Sequence, residues 1–226
     1  MNTVKETEMT SAEKAAMTLK NNKKYFVMAG IALLLILAAI GTVEYFGNQK
    51  EERSVVLAED IDAEYQDYMT AAEDDKAAVK ENLMTLIDEA KADYSGLYAE
   101  MRALNTEALL YADEEKWSDA AALFTALADG FSDSYIAPVS LINAAAMKEE
   151  EGDAEASAAL LQRVLAEYKD VSADIPEVIF NLGRLSESMA DSQKAIEYYE
   201  MISSDYSSSS WTNLAKSRII ALKAGS

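Results

Sequence analysis

The chain has 226 residues, half of them apolar, with 20 basic and 40 acidic side chains and a formal charge of −20. It contains neither cysteine nor histidine. Disulfides, thiolate catalysis, zinc–thiolate centres, a lipid-bearing N-terminal cysteine and the usual near-neutral general base are therefore excluded. The acidic balance argues against nucleic acid and against adhesion to anionic lipid.

Residues 1–24 hold 5 lysines and 3 glutamates and are expected to form a short cytoplasmic tail. Within them Thr10 and Glu13 have capping-box spacing, which predicts a short helix. Residues 25–46 are the expected transmembrane helix. From Tyr25 to Val43 there are 19 residues without a charge, close to the roughly 20 that a helix needs to cross a bilayer core. Tyr25 and Phe26 at one end and Tyr45 and Phe46 at the other suit the two interfaces. Lys20, Lys23 and Lys24 precede the span, so the N-terminus is expected inside and the rest of the chain outside. The competing reading is a cleaved signal peptide with its apolar core at 26–40; the long mixed-charge leader and the lack of a small-x-small site favour retention.

Residues 47–53 are expected to be a polar stalk, and 54–226 an all-α repeat domain with 2 prolines and few glycines. Helices are predicted over 54–72 and 76–93, with a break near Glu73 to Lys76. Hairpins follow at 97–112 with 117–130, 136–150 with 154–168, and 175–189 with 192–204. A last helix, about 211–223, with Ser210 as its candidate N-cap, closes the array. Tyr94, Phe131, Tyr168 and Tyr206 recur at separations of 37, 37 and 38 residues. Four residues back sit Ala90, Leu127, Val164 and Ile202; seven back, Ile87, Phe124, Leu161 and Tyr199; eleven back, Leu83, Ala120, Ser157 and Ala195. Those offsets trace one helix face, and a period of this size marks a stacked helical-hairpin array. Such arrays present long surfaces to other molecules, so the first functional inference is binding.

Ile179 to Gly183 (I-F-N-L-G) followed by Ala195 to Glu200 (A-I-E-Y-Y-E) is similar to the tetratricopeptide repeat. Gly183 and Ala195 fall where the two helices of such a hairpin cross, a place for small side chains. The earlier units match at Ala108, Tyr111, Ala120 and Phe124, and at Ala145, Gly152, Asp153 and Ser157. The tail, span, stalk and acidic repeat domain together resemble the ancillary subunit of the bacterial Sec translocon. That resemblance implies a bacterial inner-membrane protein with a periplasmic C-terminal domain. Its implied partners are translocon subunits, a periplasmic chaperone or unfolded clients. The alternative is a structural organiser of an envelope complex serving division, motility or outer-membrane biogenesis.

In the repeat family, three positions of each first helix often contact bound peptide. The resemblance places these at Asn105, Thr106 and Leu109; at Ile142, Asn143 and Ala146; and at Phe180, Asn181 and Arg184. An asparagine amide both donates and accepts, so it grips an extended backbone without reading side chains. Arg184 would pair with a carboxylate. The bland reading is that Asn143 and Asn181 tie neighbouring helices together. No phosphate loop, calcium loop or marked carboxylate pair occurs. Neither catalysis nor a cofactor is expected.

Overall fold

The computed structural model describes residues 10–224, and among these every regular element is an α-helix. Two compact units are present, Met1–Glu52 and Arg53–Ser226.

The first unit contains α1 (Ser11–Asn21) and the start of α2 (Lys23–Thr70). The predicted capping box forms: the Thr10 amide donates to the Glu13 carboxylate at 2.8 Å, and the Glu13 amide donates to the Thr10 hydroxyl at 3.3 Å. These bonds hold the Glu13 carboxyl below the usual glutamate range. Helix α2 is long and apolar enough to cross a membrane. Its apolar side chains from Tyr25 to Ile40 are exposed, Leu34 at 67%. The expected stalk, 47–53, is itself helical. Gln49 to Arg53 are all good helix formers, and the single Gly47 costs only about 1 kcal/mol.

In the second unit, α2 ends at Thr70 and α3 covers Glu73–Asp93. The predicted break at Glu73 to Lys76 is therefore displaced towards the N-terminus. Glu73, Asp74 and Asp75 form the first turn of α3 instead, where carboxylates face the positive end of the helix dipole. Hairpins α4 (Tyr98–Asp113) with α5 (Trp117–Gly130), α6 (Ile136–Glu150) with α7 (Ala154–Tyr168), and α8 (Ile175–Ser188) with α9 (Ser192–Asp205) follow, and α10 (Trp211–Ala224) packs on α9 and α8. The Trp211 amide donates to the Ser209 hydroxyl at 3.2 Å, so Ser209, not Ser210, supports the start of α10.

All twelve residues of the four-, seven- and eleven-back pattern are buried, none above 3% exposure. Tyr94, Phe131 and Tyr206 end α3, α5 and α9, and their amides bond to the carbonyls of Ala90, Leu127 and Ile202. The repeat is thus one structural instruction written four times. It sets the inward stripe, then the stop. Each large aliphatic side chain in the stripe stabilises by about 1.5–3 kcal/mol over leaving it exposed.

The turns within hairpins also repeat. Glu115, Gly152 and Ala190 all have φ between 56° and 87°. After each, the amides of Lys116, Asp153 and Asp191 bond to the carbonyls of Tyr111, Lys148 and Ser186 at 2.8–2.9 Å, the six-to-one closure of a helix C-terminus. Asp153 and Asp191 then cap the next helices, accepting from the Ala156 and Lys194 amides at 2.9 and 3.0 Å.

Gly183 earns its place by contact. A Cβ there would lie 2.5 Å from Cε1 of Tyr199, a fully buried ring. Tyr199 packs against Phe180 in a tilted arrangement at 5.3 Å, and Phe180 meets Trp211 at 4.9 Å. The last hairpin and the closing helix share this aromatic centre.

Candidate functional site

The nine candidate contact residues lie on the first helices of the three hairpins, α4, α6 and α8. They divide sharply by exposure. Thr106 and Phe180 are buried, at 1% and 8% exposure. Both are packed into the core, with almost no surface to offer a ligand. Leu109 and Ile142 are half-buried and pack on neighbouring core clusters. Asn105 is half-buried on α4.

Asn143, Ala146, Asn181 and Arg184 form the accessible part. Asn143 and Asn181 stand at the same place in α6 and α8, each two residues before the small crossing residue, Ala145 or Gly183. Ala146 and Arg184 lie three residues further on, over the same helix face. The equivalent position in α4 is the buried Thr106.

Arg184 is already engaged. Its guanidinium grips Glu149 of α6 with both terminal nitrogens, one at 2.6 Å and the other closer. That bond holds the Glu149 carboxyl below its usual range. Arg184 thus binds α8 to α6 and is not a free cation awaiting a carboxylate. The same device recurs along the array. Arg102 bonds Asp62 through Nε at 3.0 Å, Arg163 bonds Asp129 at 2.6 Å, and Arg218 bonds Glu187 through Nε at 3.0 Å. Lys91 meets the buried Glu107 at 2.7 Å. These four arginines are consumed between helices, which leaves the acidic excess to face outward.

By contrast, the side-chain amides of Asn143 and Asn181 have no hydrogen-bond partner within the chain among the described residues. The helix-tying role therefore fails for both. Each amide keeps its donors and its acceptor for solvent or a ligand.

At the end of the array, Glu187 accepts from Tyr199 at 2.6 Å as well as from Arg218. The Arg218 bond is the larger influence holding the Glu187 carboxyl low. Burial, and then the bond to Glu187, push the Tyr199 hydroxyl well above the ordinary tyrosine range. These bonds tie α8 and α9 to α10. Among the described residues no group of three or more acidic side chains is placed to hold a metal.

No known family profile matches the chain. Over 111 residues, 49% of its length, it is 32% identical to a protein of Treponema pallidum (strain Nichols) described as a TPR repeat-containing protein. The match covers 46% of that protein, so the chain spans about half the length of this curated relative. Fold and relative agree on the coarse class: a helical-repeat protein whose second unit is an array of tetratricopeptide-like hairpins.

Proposed function

We propose that this chain is a membrane-anchored scaffold that grips extended segments of other proteins through α6 and α8, on the extracytoplasmic side, beside the protein-export channel. The observation that carries the binding role is the pair Asn143 and Asn181. Two amides at equivalent positions, half-buried and without an internal partner, provide regularly spaced sites for the peptide backbone of an extended chain. Similarity to a TPR repeat-containing protein supports the same reading.

The membrane part of the proposal draws on the apolar stretch of α2 and the lysines before it. From residue 47 onward the chain carries 15 basic and 36 acidic side chains, a net −21. This part stays soluble and is repelled by anionic headgroups. Tethering raises its effective concentration beside anything held in the same membrane.

The test combines topology with crosslinking in cells. Protease added to sealed spheroplasts is expected to remove residues after 53 and spare the N-terminal tail. A photo-crosslinker at Ala146 is expected to capture channel subunits or chains in transit, and Asn143→Ala with Asn181→Ala to reduce that capture several-fold. Protection of the C-terminal part from protease would end the extracytoplasmic reading. Unchanged capture in the double variant would end the asparagine reading.

A further inference from the structure

A second surface lies where two hairpin connections meet, and it shares no residue with the Asn143–Arg184 face. The α5–α6 connection contributes Ser132 to Tyr135, and the α7–α8 connection contributes Val171 to Asp174. Between them is an open hollow of about 550 Å³, also bounded by Pro138 and Val139 of α6 and by Glu167 and Tyr168 of α7.

The hollow is preformed. The Tyr168 ring is buried in its floor, and its hydroxyl donates to the Ser132 carbonyl at 3.2 Å, joining the two connections. The Ser172 amide bonds back to the Tyr168 carbonyl at 2.9 Å, and the Asp174 amide donates to the Ser172 hydroxyl at 3.2 Å. These bonds order both connections in advance, which lowers the entropic cost of binding.

Its rim is apolar and unpartnered. Tyr135 is 74% exposed, Val171 79% and Val139 38%. Isolated apolar side chains on a surface are ordinary, but here three gather around one concavity. Its charge has one sign. Asp133, Glu167 and Asp174 line it and no basic residue does. Glu167 shares Arg163 with Asp129. Asp133 and Asp174 have no ion-pair partner among the described residues. Lys169, the cation of the α7–α8 connection, is turned to Asp205 at 3.9 Å.

From this geometry we infer a docking site for a basic, extended segment of a partner protein, which places a lysine or arginine in the hollow. The aliphatic stem of such a side chain lies along Val139 and Val171, its charged head reaches Asp133 and Asp174, and Tyr135 offers a ring face. Anionic lipid, nucleic acid and a free carboxylate terminus all carry the wrong sign for these walls. This site holds whether or not the asparagine face binds protein.

The experiment uses the full chain in detergent and a fluorescein-labelled peptide of alternating lysine and valine, nine residues long, with its glutamate-for-lysine counterpart. Anisotropy is measured at two salt concentrations. Binding of the lysine peptide and not of the glutamate peptide is expected, weakening as salt rises. The double variant Asp133→Asn, Asp174→Asn changes only exposed side chains and is expected to weaken binding about tenfold. Val171→Ser is expected to weaken it with the charges intact. The control, Glu59→Gln with Asp60→Asn on the exposed face of α2, is expected to leave it unchanged. Failure of the lysine peptide to bind overturns the inference. So does equal loss in the control, which would show diffuse attraction to the acidic surface.

Discussion

Gly183→Ala tests how closely α8 and α9 cross. The added methyl would lie 2.5, 2.8 and 2.9 Å from Cε1, Cζ and Cδ1 of Tyr199. Ordinary carbon contacts begin near 3.5 Å, so the overlap is roughly 1 Å at one atom and about 0.6 Å at two more. The ring has little freedom to retreat. It is fully buried, lies against Phe180, and its hydroxyl is bonded to Glu187 at 2.6 Å. Overpacking of this kind costs about 1–3 kcal/mol. Alanine returns up to ~1 kcal/mol through better helix propensity. The expected net loss is up to about 2 kcal/mol, or up to about 8 °C in melting temperature for a domain of this size. Helicity of the full chain in detergent, followed by circular dichroism through a thermal ramp, reads this directly. Gly130→Ala is the control. Gly130 is also helical, and nothing lies within 4 Å of a Cβ there. It is expected to be neutral or slightly stabilising. A Gly183→Ala variant as stable as Gly130→Ala would refute the claim that contact with Tyr199 dictates the glycine.

Ala190 occupies a left-handed turn at φ 62° where the equivalent turn has Gly152. Ala190→Gly is expected to stabilise by about 0.5–1 kcal/mol, seen as a higher urea midpoint. The low Glu187 carboxyl gives a pH signature. A carboxylate lowered in the folded state adds stability above its unfolded pKa, and that stability is lost as pH falls through the lower folded value. The parent chain is therefore expected to weaken below about pH 4 more steeply than Glu187→Gln, and urea midpoints from pH 6 to 3 compare the two slopes. Glu149→Gln removes an exposed partner of Arg184. A loss of at most ~1 kcal/mol is expected in thermal melts, shrinking at high salt. A larger loss would mean that the arginine clasps set the array's stability.

The parts of this protein legible along the chain are those with local causes. The 37- and 38-residue period placed twelve buried side chains and the ends of four helices correctly, because burial on one helix face depends on spacing alone. Thr10 and Glu13 announced their cap because both partners lie within one turn. The carboxylates at 73–75 misled: their charge looked like a loop, while the dipole of α3 gave them a helical place.

The surface available for binding was not legible in the same way. Family positions singled out Thr106 and Phe180 alongside Asn143 and Asn181, and only packing separated the buried from the accessible. Arg184 looked like a ligand for an external carboxylate until α6 supplied Glu149, 35 residues away. The hollow beside Tyr135 joins two connections whose closest approach depends on how one hairpin seats on the next. Sequence by itself determined the repeat, its inward stripe and the apolar stretch of α2, since each is a matter of short-range spacing. Tertiary structure alone decided which polar groups were spent between helices and which remained for a partner, because that choice follows from distances between segments the chain brings together only on folding.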